Sequence, residues 1–167
     1  MRKKFAGILA LALMMSAGAQ AQEIKRTVNP NSTLPLAVAV TVPAGSTLVF
    51  FSGNLADVAN PDAPKGTVEA YGDTRTQATS ILKKFEKLLA NEGLALGDVV
   101  KVNVFLVGDA KLDGKMDFAG LNAAYSQFFG TAAQPNKPVR TAVQVAGLPM
   151  PGGLIEIEMT AARTVSK

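Results

Sequence analysis

Apolar positions along the chain follow two different periods, and these periods predict the secondary structure. Runs in which apolar and polar residues alternate, or in which β-branched and aromatic residues dominate, are typical of strands. Such runs occur in LPLAVAVTV, STLVFFSG, DVVKVNVFLV, RTAVQV and LIEIEMTA. Segments that contain Pro and Gly join the first two runs and the last two. We therefore expect a hairpin near each end of the domain.

Two further segments carry apolar residues at helical spacing. In the first, Thr74 and Gln77 predict a capping box and Gly93 a helix end. In the second, Asp117 is a suitable N-cap and Gly130 a suitable end. The apolar stripes are Ala78, Ile81, Leu82, Phe85, Leu88 and Leu89 in the first, and Phe118, Leu121, Tyr125 and Phe128 in the second. The order β-β-α-β-α-β-β predicts an α+β fold with helices on one sheet face.

The last two strands raise the question of what covers the other face of the sheet. Side chains alternate along a strand, so Ile155 and Ile157 share one face while Glu156 and Glu158 share the other. If the apolar set faces the helices, Arg140 and both glutamates lie on the uncovered face. The charges then either keep an exposed face soluble or form part of a site, and the pattern alone leaves both interpretations open.

The first 21 residues are typical of a secretory signal peptide. A basic start, Arg2 to Lys4, is followed by a short apolar run and by a small-residue cleavage motif at Ala19-Gln20-Ala21. We expect cleavage before Gln22, a periplasmic or secreted protein, and no membrane association after cleavage. Residues 22–167 are then expected to form one domain.

Charge and composition exclude several classes of chemistry. The signal segment holds three of the 17 basic residues and none of the 13 acidic ones, so residues 22–167 carry a net charge of about +1. That balance does not predict a nucleic-acid surface, which needs clustered Lys and Arg. The chain has no Cys and no His, which excludes a thiolate nucleophile, a Ser-His-Asp triad and an ordinary zinc site. We expect no metal and no cofactor.

Four segments together resemble the Rid family (YjgF type, reactive-intermediate imine deaminases). GDVVKVNVFL, DFAGLNAAYSQFF, PVRTAVQVAGLP and IEIE follow one another in the family's order, and the SG of FFSGN matches an early strand end. The resemblance covers roughly residues 30 to 163. It implies a chorismate-mutase-like fold and a homotrimer in which the bare sheet faces form a central barrel, with clefts between neighbouring subunits.

The resemblance also implies roles for five residues. The family's carboxylate-binding arginine falls on Arg140 and its water-positioning glutamate on Glu156, the two predicted catalytic residues. Ser52, Gly53 and Asn122 match cleft residues and are predicted to contact substrate. The implied reaction converts 2-imino acids and their enamine tautomers, such as 2-aminoacrylate, to 2-keto acids and ammonia. Glu158 matches a second glutamate, which we expect to be a structural partner.

The chain departs from the family pattern at several positions. Leu36 stands where many members carry a tyrosine that lines the cleft. Two residues after the arginine, Ala142 stands where many members have Cys or another small residue. The loops before Asp117 and within GLPMPGG are longer than usual. These departures leave a second hypothesis open, a non-catalytic periplasmic binder of small carboxylates or a holdase-like trimer. Endoribonuclease activity, also described in the family, is a weaker third, because the charge is low and His is absent.

Overall fold

The structure, a computed structural model, describes residues 23–164, so the predicted signal segment lies outside the described residues. The described part contains six strands, three α-helices and two short 3-10 turns, Leu96–Asp98 and Ala110–Leu112. The strands are β1 (Lys25–Val28), β2 (Ala37–Thr41), β3 (Thr47–Asn54), β4 (Val99–Val107), β5 (Val139–Val145) and β6 (Ile155–Arg163). The helices are α1 (Val68–Tyr71), α2 (Thr74–Asn91) and α3 (Phe118–Tyr125).

Four of the strands form one mixed sheet in the order β3-β6-β4-β5. Strand β4 runs parallel to β5 and antiparallel to β6. The helices α2 and α3 pack together on one face of this sheet, and their buried side chains form a single core with the alternate residues of β4 and β6. The predicted α+β class, with helices on one face of a mixed sheet, is confirmed.

Both predicted hairpins are wrong. Strand β2 pairs with β1, in a segment that was not predicted to be a strand, and β3 pairs with β6. Strand β4 lies between β5 and β6 because its side chains at Val102, Val104 and Leu106 are fully buried, which favours a central position. The segment 146–154 is long enough to pass the end of β4, whereas the common hairpin connections have only two to five residues.

Helix α2 supplies most of the helical part of the core. It begins at Thr74, as predicted, but the cap is Asp73, whose Oδ1 accepts from the Thr76 N–H at 2.8 Å. Gln77 does not complete a capping box; its buried amide bonds instead to Gly72 O, Gly152 O and Leu154 N. The helix ends at Asn91, and Gly93 follows with φ +66°, a backbone conformation that suits glycine.

Helix α3 is one turn shorter than predicted. Asp117 caps it as expected, accepting from the Gly120 N–H at 2.7 Å, but the helix ends at Tyr125 and continues as turns. The chain therefore buries Phe129 instead of Phe128, which is only partly buried. Of the helices in the described residues, none is both long and apolar enough to cross a membrane.

Candidate active site

Arg140 lies on the face of the sheet that the helices cover. Its partner in the parallel register is Val102, which is fully buried beneath the helices, and its guanidinium lies over the ring of Tyr125 in α3. The predicted uncovered face is therefore wrong for Arg140, whereas Glu156 and Glu158 lie on that face as predicted. On β5 the residues on that face are Thr141, Val143 and Val145, while Arg140 and Ala142 face α3.

Three side chains of α3 hold the Arg140 guanidinium. Asn122 Oδ1 accepts a hydrogen bond from Arg140 Nη2 at 2.7 Å. The Arg140 Cζ atom lies 4.5 Å from the centre of the Tyr125 ring and 5.6 Å from that of Phe118, both within cation–π range. Phe118, Asn122 and Tyr125 are spaced four and three residues apart, so they fall on one helix face. The cation is thus fixed by a hydrogen bond and two aromatic rings.

Burial sets the electrostatics of this group. Desolvation lowers the pKa of Arg140, although the neighbouring Tyr125 acts in the opposite direction. The pKa of Tyr125 is strongly raised by burial, so its phenol stays protonated at neutral pH. Arg140 Nη1 and Tyr125 Oη are both buried without a hydrogen-bond partner among the described residues. Within residues 23–164 the one ion pair is Lys84–Asp57, so no carboxylate of this part of the chain neutralises Arg140.

Glu156 forms a second group with Gly53, which follows Ser52 at the end of β3. Glu156 lies between Ile155 and Ile157, which are fully buried, so its side chain emerges on the face that the helices leave open. Its Oε1 atom lies so close to Gly53 that an added Cβ at that position would collide with it. A side chain at position 53 would therefore displace the Glu156 carboxylate from this position.

Ser52 and Gly53 form an irregularity at the end of β3. The register passes from Phe51 opposite Met159 to Asn54 opposite Ile157, which leaves two residues of β3 opposite one residue of β6. This is the count of a β-bulge, a feature that is common next to active sites. The one residue of β6 opposite this bulge is Glu158, and the bulge brings Gly53 against the Glu156 carboxylate.

Glu158 has a structural partner, in agreement with its predicted role. Its Oε1 atom accepts a hydrogen bond of 2.6 Å from Asn103 Nδ2, and Asn103 is its direct neighbour on β4. Glu156 has no comparable side-chain bond within residues 23–164 and lies beside the bulge. Of the two glutamates, Glu156 is thus the one left available for chemistry.

The two groups do not meet within one protomer. Arg140 is on β5 and Glu156 on β6, with β4 between them, and their β4 neighbours Val102 and Phe105 are three residues apart. Strand spacing then separates the two backbone positions by roughly 14 Å. The side chains also lie on opposite faces of the sheet. A single protomer therefore presents two separate half-sites.

Sequence reasoning missed two residues of the Arg140 group. Phe118 and Tyr125 were assigned to the apolar stripe of the second helix, and Tyr125 is indeed fully buried, whereas Phe118 is 40% exposed. Their spacing from Asn122 was the signal that could have found them, since it places two aromatic rings beside a predicted site residue. Leu36, in place of the family's tyrosine, is partly buried against the core.

The comparison with known proteins assigns the family. Residues 26–163 match the family model described as endoribonuclease L-PSP. A RutC family protein of Haemophilus influenzae is 39% identical over 116 residues, which cover 70% of this chain and 79% of that protein. The proposed reactive intermediate deaminase TdcF of Escherichia coli is 36% identical over 117 residues, covering 70% and 80%. The chain belongs to this family, and the predicted Rid (YjgF) relationship is confirmed.

Solved structures support the same assignment. The YjgF gene product of E. coli is 34% identical with a TM-score of 0.52, covering 73% of this chain and 84% of that one. A Rid family protein of Yersinia pestis, YyfB, reaches a TM-score of 0.60 at 24% identity, covering 83% and 98%. The second likeness concerns the fold alone. Both agree with helices packed on a mixed sheet.

Proposed function

We propose that this protein hydrolyses reactive 2-imino acids, such as the imine tautomer of 2-aminoacrylate, to 2-keto acids and ammonia. The observation that carries the proposal is the state of Arg140. Its guanidinium is partly buried and fixed by α3, yet no carboxylate of the described residues neutralises it. A planar cation held in this way is suited to the carboxylate of a small substrate. The name of the E. coli relative TdcF supports the same reaction class.

The reaction needs few groups. Arg140 binds the carboxylate and thereby fixes C2 of the imino acid. Glu156 orients a water molecule and accepts one of its protons as the C2–O bond forms. The C=N π electron pair moves to the nitrogen, and Glu156 returns its proton there. The hydroxyl proton of the resulting tetrahedral adduct passes to the same nitrogen as the C=O bond forms, and the C–N bond breaks with its electron pair leaving in ammonia. A free imine hydrolyses unaided, so positioning and the transfer of these two protons are sufficient.

The site needs more than one protomer. Arg140 and Glu156 lie on opposite faces of the sheet, so they converge only if a neighbouring copy supplies one of them. We propose a homotrimer in which the open sheet faces pack together and each cleft pairs the two half-sites of neighbouring protomers. The exposed apolar residues of the open face, Leu48, Phe50 and Val143, support such packing.

A second function remains compatible with the same geometry. A carboxylate binder needs Arg140 and Asn122 but makes no use of Glu156 as a base. The observation that favours it is the replacement of the family's cleft tyrosine by Leu36, which removes a hydroxyl from the site. Both proposals include export to the periplasm, which the segment 1–21 predicts. Both also assume that nucleic acid is not a partner. N-terminal sequencing of the fractionated protein tests the export.

Two measurements on one set of variants separate the enzyme from the binder. Calorimetry follows binding of 2-oxobutanoate, and a coupled assay follows keto-acid formation while a dehydratase generates 2-aminoacrylate. Arg140→Ala is expected to weaken binding at least about tenfold and Arg140→Lys to restore little, because an ammonium makes no planar two-point contact. Glu156→Gln is expected to keep binding and to slow turnover at least about tenfold.

The matched control is Arg75→Ala, which removes an exposed arginine from α2 and leaves the half-sites unchanged. Binding without turnover by the wild type would favour the binder over the enzyme. Undiminished binding by Arg140→Ala would contradict both functions.

A further inference from the structure

We propose that Gln144 is a positioning residue for the Arg140 site, since it fixes the start of α3 against β5. Gln144 lies on β5 four residues after Arg140, on the same face of the strand. Its contacts are made to the loop that leads into α3 and not to Arg140 itself. The inference rests on the proposed function, because it concerns the affinity of the same site for a carboxylate.

The Gln144 amide uses both of its polar atoms on one short segment. Its Oε1 accepts from the Met116 N–H at 2.9 Å, and its Nε2 donates to Gly114 O at 2.9 Å. Donation and acceptance together need an amide, because a carboxylate at neutral pH only accepts. The side chain thus acts as a two-point clamp between β5 and the loop.

The loop that Gln144 contacts, residues 109–115, is closed by backbone hydrogen bonds between its two ends. The Asp109 N–H donates to Lys115 O at 3.0 Å, and the Gly114 N–H donates to Asp109 O at 3.0 Å. Asp113 and Gly114 both have positive φ, 54° and 72°, which close the turn. At its base the Gly114 carbonyl packs so tightly on Gly108 that a Cβ there would collide with it. Because these bonds hold the loop together, we expect a shift at Gly114 to move the start of α3 as well.

The loop connects directly to the groups that hold Arg140. Asp117 follows Met116 and caps α3, and Phe118, Asn122 and Tyr125 then lie along the helix. Strand β5 and helix α3 are therefore tied at two places, by Gln144 at the loop and by the Arg140–Asn122 bond in the helix. Loss of the first tie would let the start of α3 shift and would loosen the grip on the guanidinium.

The test is a double-mutant cycle read by binding of 2-oxobutanoate to the full protein. Gln144→Ala is expected to weaken binding about three- to tenfold, the range for loss of a net hydrogen bond. The matched control is Gln127→Ala, which removes an exposed amide bonded only to Ala123 O nearby along the chain. Binding by that variant is expected to stay within about twofold.

Asn122→Ala provides the second background of the cycle, because it removes the hydrogen bond between α3 and Arg140. In that background Gln144→Ala is expected to cause a further change of no more than about twofold, since the two residues act through the same helix. Gln144→Glu keeps the acceptor for Met116 but loses the donor to Gly114, and it is expected to fall between wild type and Gln144→Ala. A merely structural role would shift the unfolding midpoint equally in both backgrounds and leave binding unchanged.

Three results would overturn the inference. Wild-type affinity in Gln144→Ala would do so while leaving the Arg140 effect, and therefore the proposed function, intact. An equal loss of affinity with and without Asn122 would place the action of Gln144 elsewhere. No binding of 2-oxobutanoate by the wild type would overturn both the inference and the proposed function.

Discussion

The ring of Tyr125 forms the surface on which the Arg140 guanidinium lies, 4.5 Å from its centre. Cation–π contacts of this kind contribute about 0.5–2 kcal/mol, more when they are desolvated. Tyr125→Leu is therefore expected to weaken carboxylate binding about two- to thirtyfold. Tyr125→Phe keeps the ring and removes a hydroxyl that has no partner among the described residues, so binding is expected to stay within about twofold. Calorimetric titration measures both.

A packing control distinguishes support of the cation from general damage to the core. Phe129 stacks on Tyr125 with ring centres 4.6 Å apart and is fully buried. Phe129→Leu disturbs the same part of the core but removes no ring from Arg140. Equal loss of binding in Tyr125→Leu and Phe129→Leu would show that the ring supports the core and not the cation.

Which residues lie together was easier to predict than the face of the sheet on which a side chain lies. Arg140 and Asn122 were assigned to the site from motifs, and the structure joins them by a hydrogen bond. The predicted face of Arg140 was wrong because β5 carries apolar residues on both of its faces. The expectation that the apolar set faces the helices placed Arg140 on the other face. Alternation states which residues share a face, but not which face is inside. Only the pairing with buried Val102 decides it.

At the scale of elements, the inward face of α2 is its strongest feature. Phe85 is fully buried and meets Phe51 of β3 edge to face, with ring centres 6.2 Å apart. Phe85→Ala is expected to lower the free energy of unfolding by about 3–5 kcal/mol because it leaves a cavity in the core. Urea denaturation at a fixed protomer concentration measures it, since assembly contributes to apparent stability.

The neighbouring exposed residue provides the control for this substitution. Glu86→Ala is expected to change the free energy of unfolding by no more than about 0.5 kcal/mol. A loss below about 1 kcal/mol in Phe85→Ala would contradict the burial of this ring.

The starts of the helices, which depend on local sequence, were predicted well. The pairing of the strands, which depends on distant parts of the chain, was predicted poorly. The start of α2 at Thr74 and the cap of α3 at Asp117 are confirmed, although α2 is capped by Asp73 and not by the predicted box of Thr74 and Gln77. Strand order depends on which strand can occupy the centre of the sheet. The sequence around RTAVQV and LIEIEMTA does not indicate that β4 lies between these two strands. The bulge at Ser52 and Gly53 is likewise visible only in the register with β6.

At the scale of the whole molecule, the open sheet face is the feature that needs a partner. Phe50 is 75% exposed, and Leu48 and Val143 are 45% and 42% exposed on the same face. Apolar residues gathered on one sheet face favour burial against another surface. The same face carries Glu156, so packing of copies would bury the apolar residues and bring a neighbour to the carboxylate. Light scattering is expected to give the mass of a trimer.

A subunit-mixing experiment tests whether each active site is built from two protomers. Arg140→Ala and Glu156→Gln chains are each expected to be poorly active alone. In a mixed trimer, one cleft of the three pairs an intact Arg140 with an intact Glu156 of its neighbour. Random co-assembly from equal amounts of the two chains should therefore restore about a quarter of the wild-type activity. The two variants purified separately and mixed without subunit exchange should remain inactive. If both residues served the same cleft from one chain, co-assembly would restore nothing, because every chain lacks one of them.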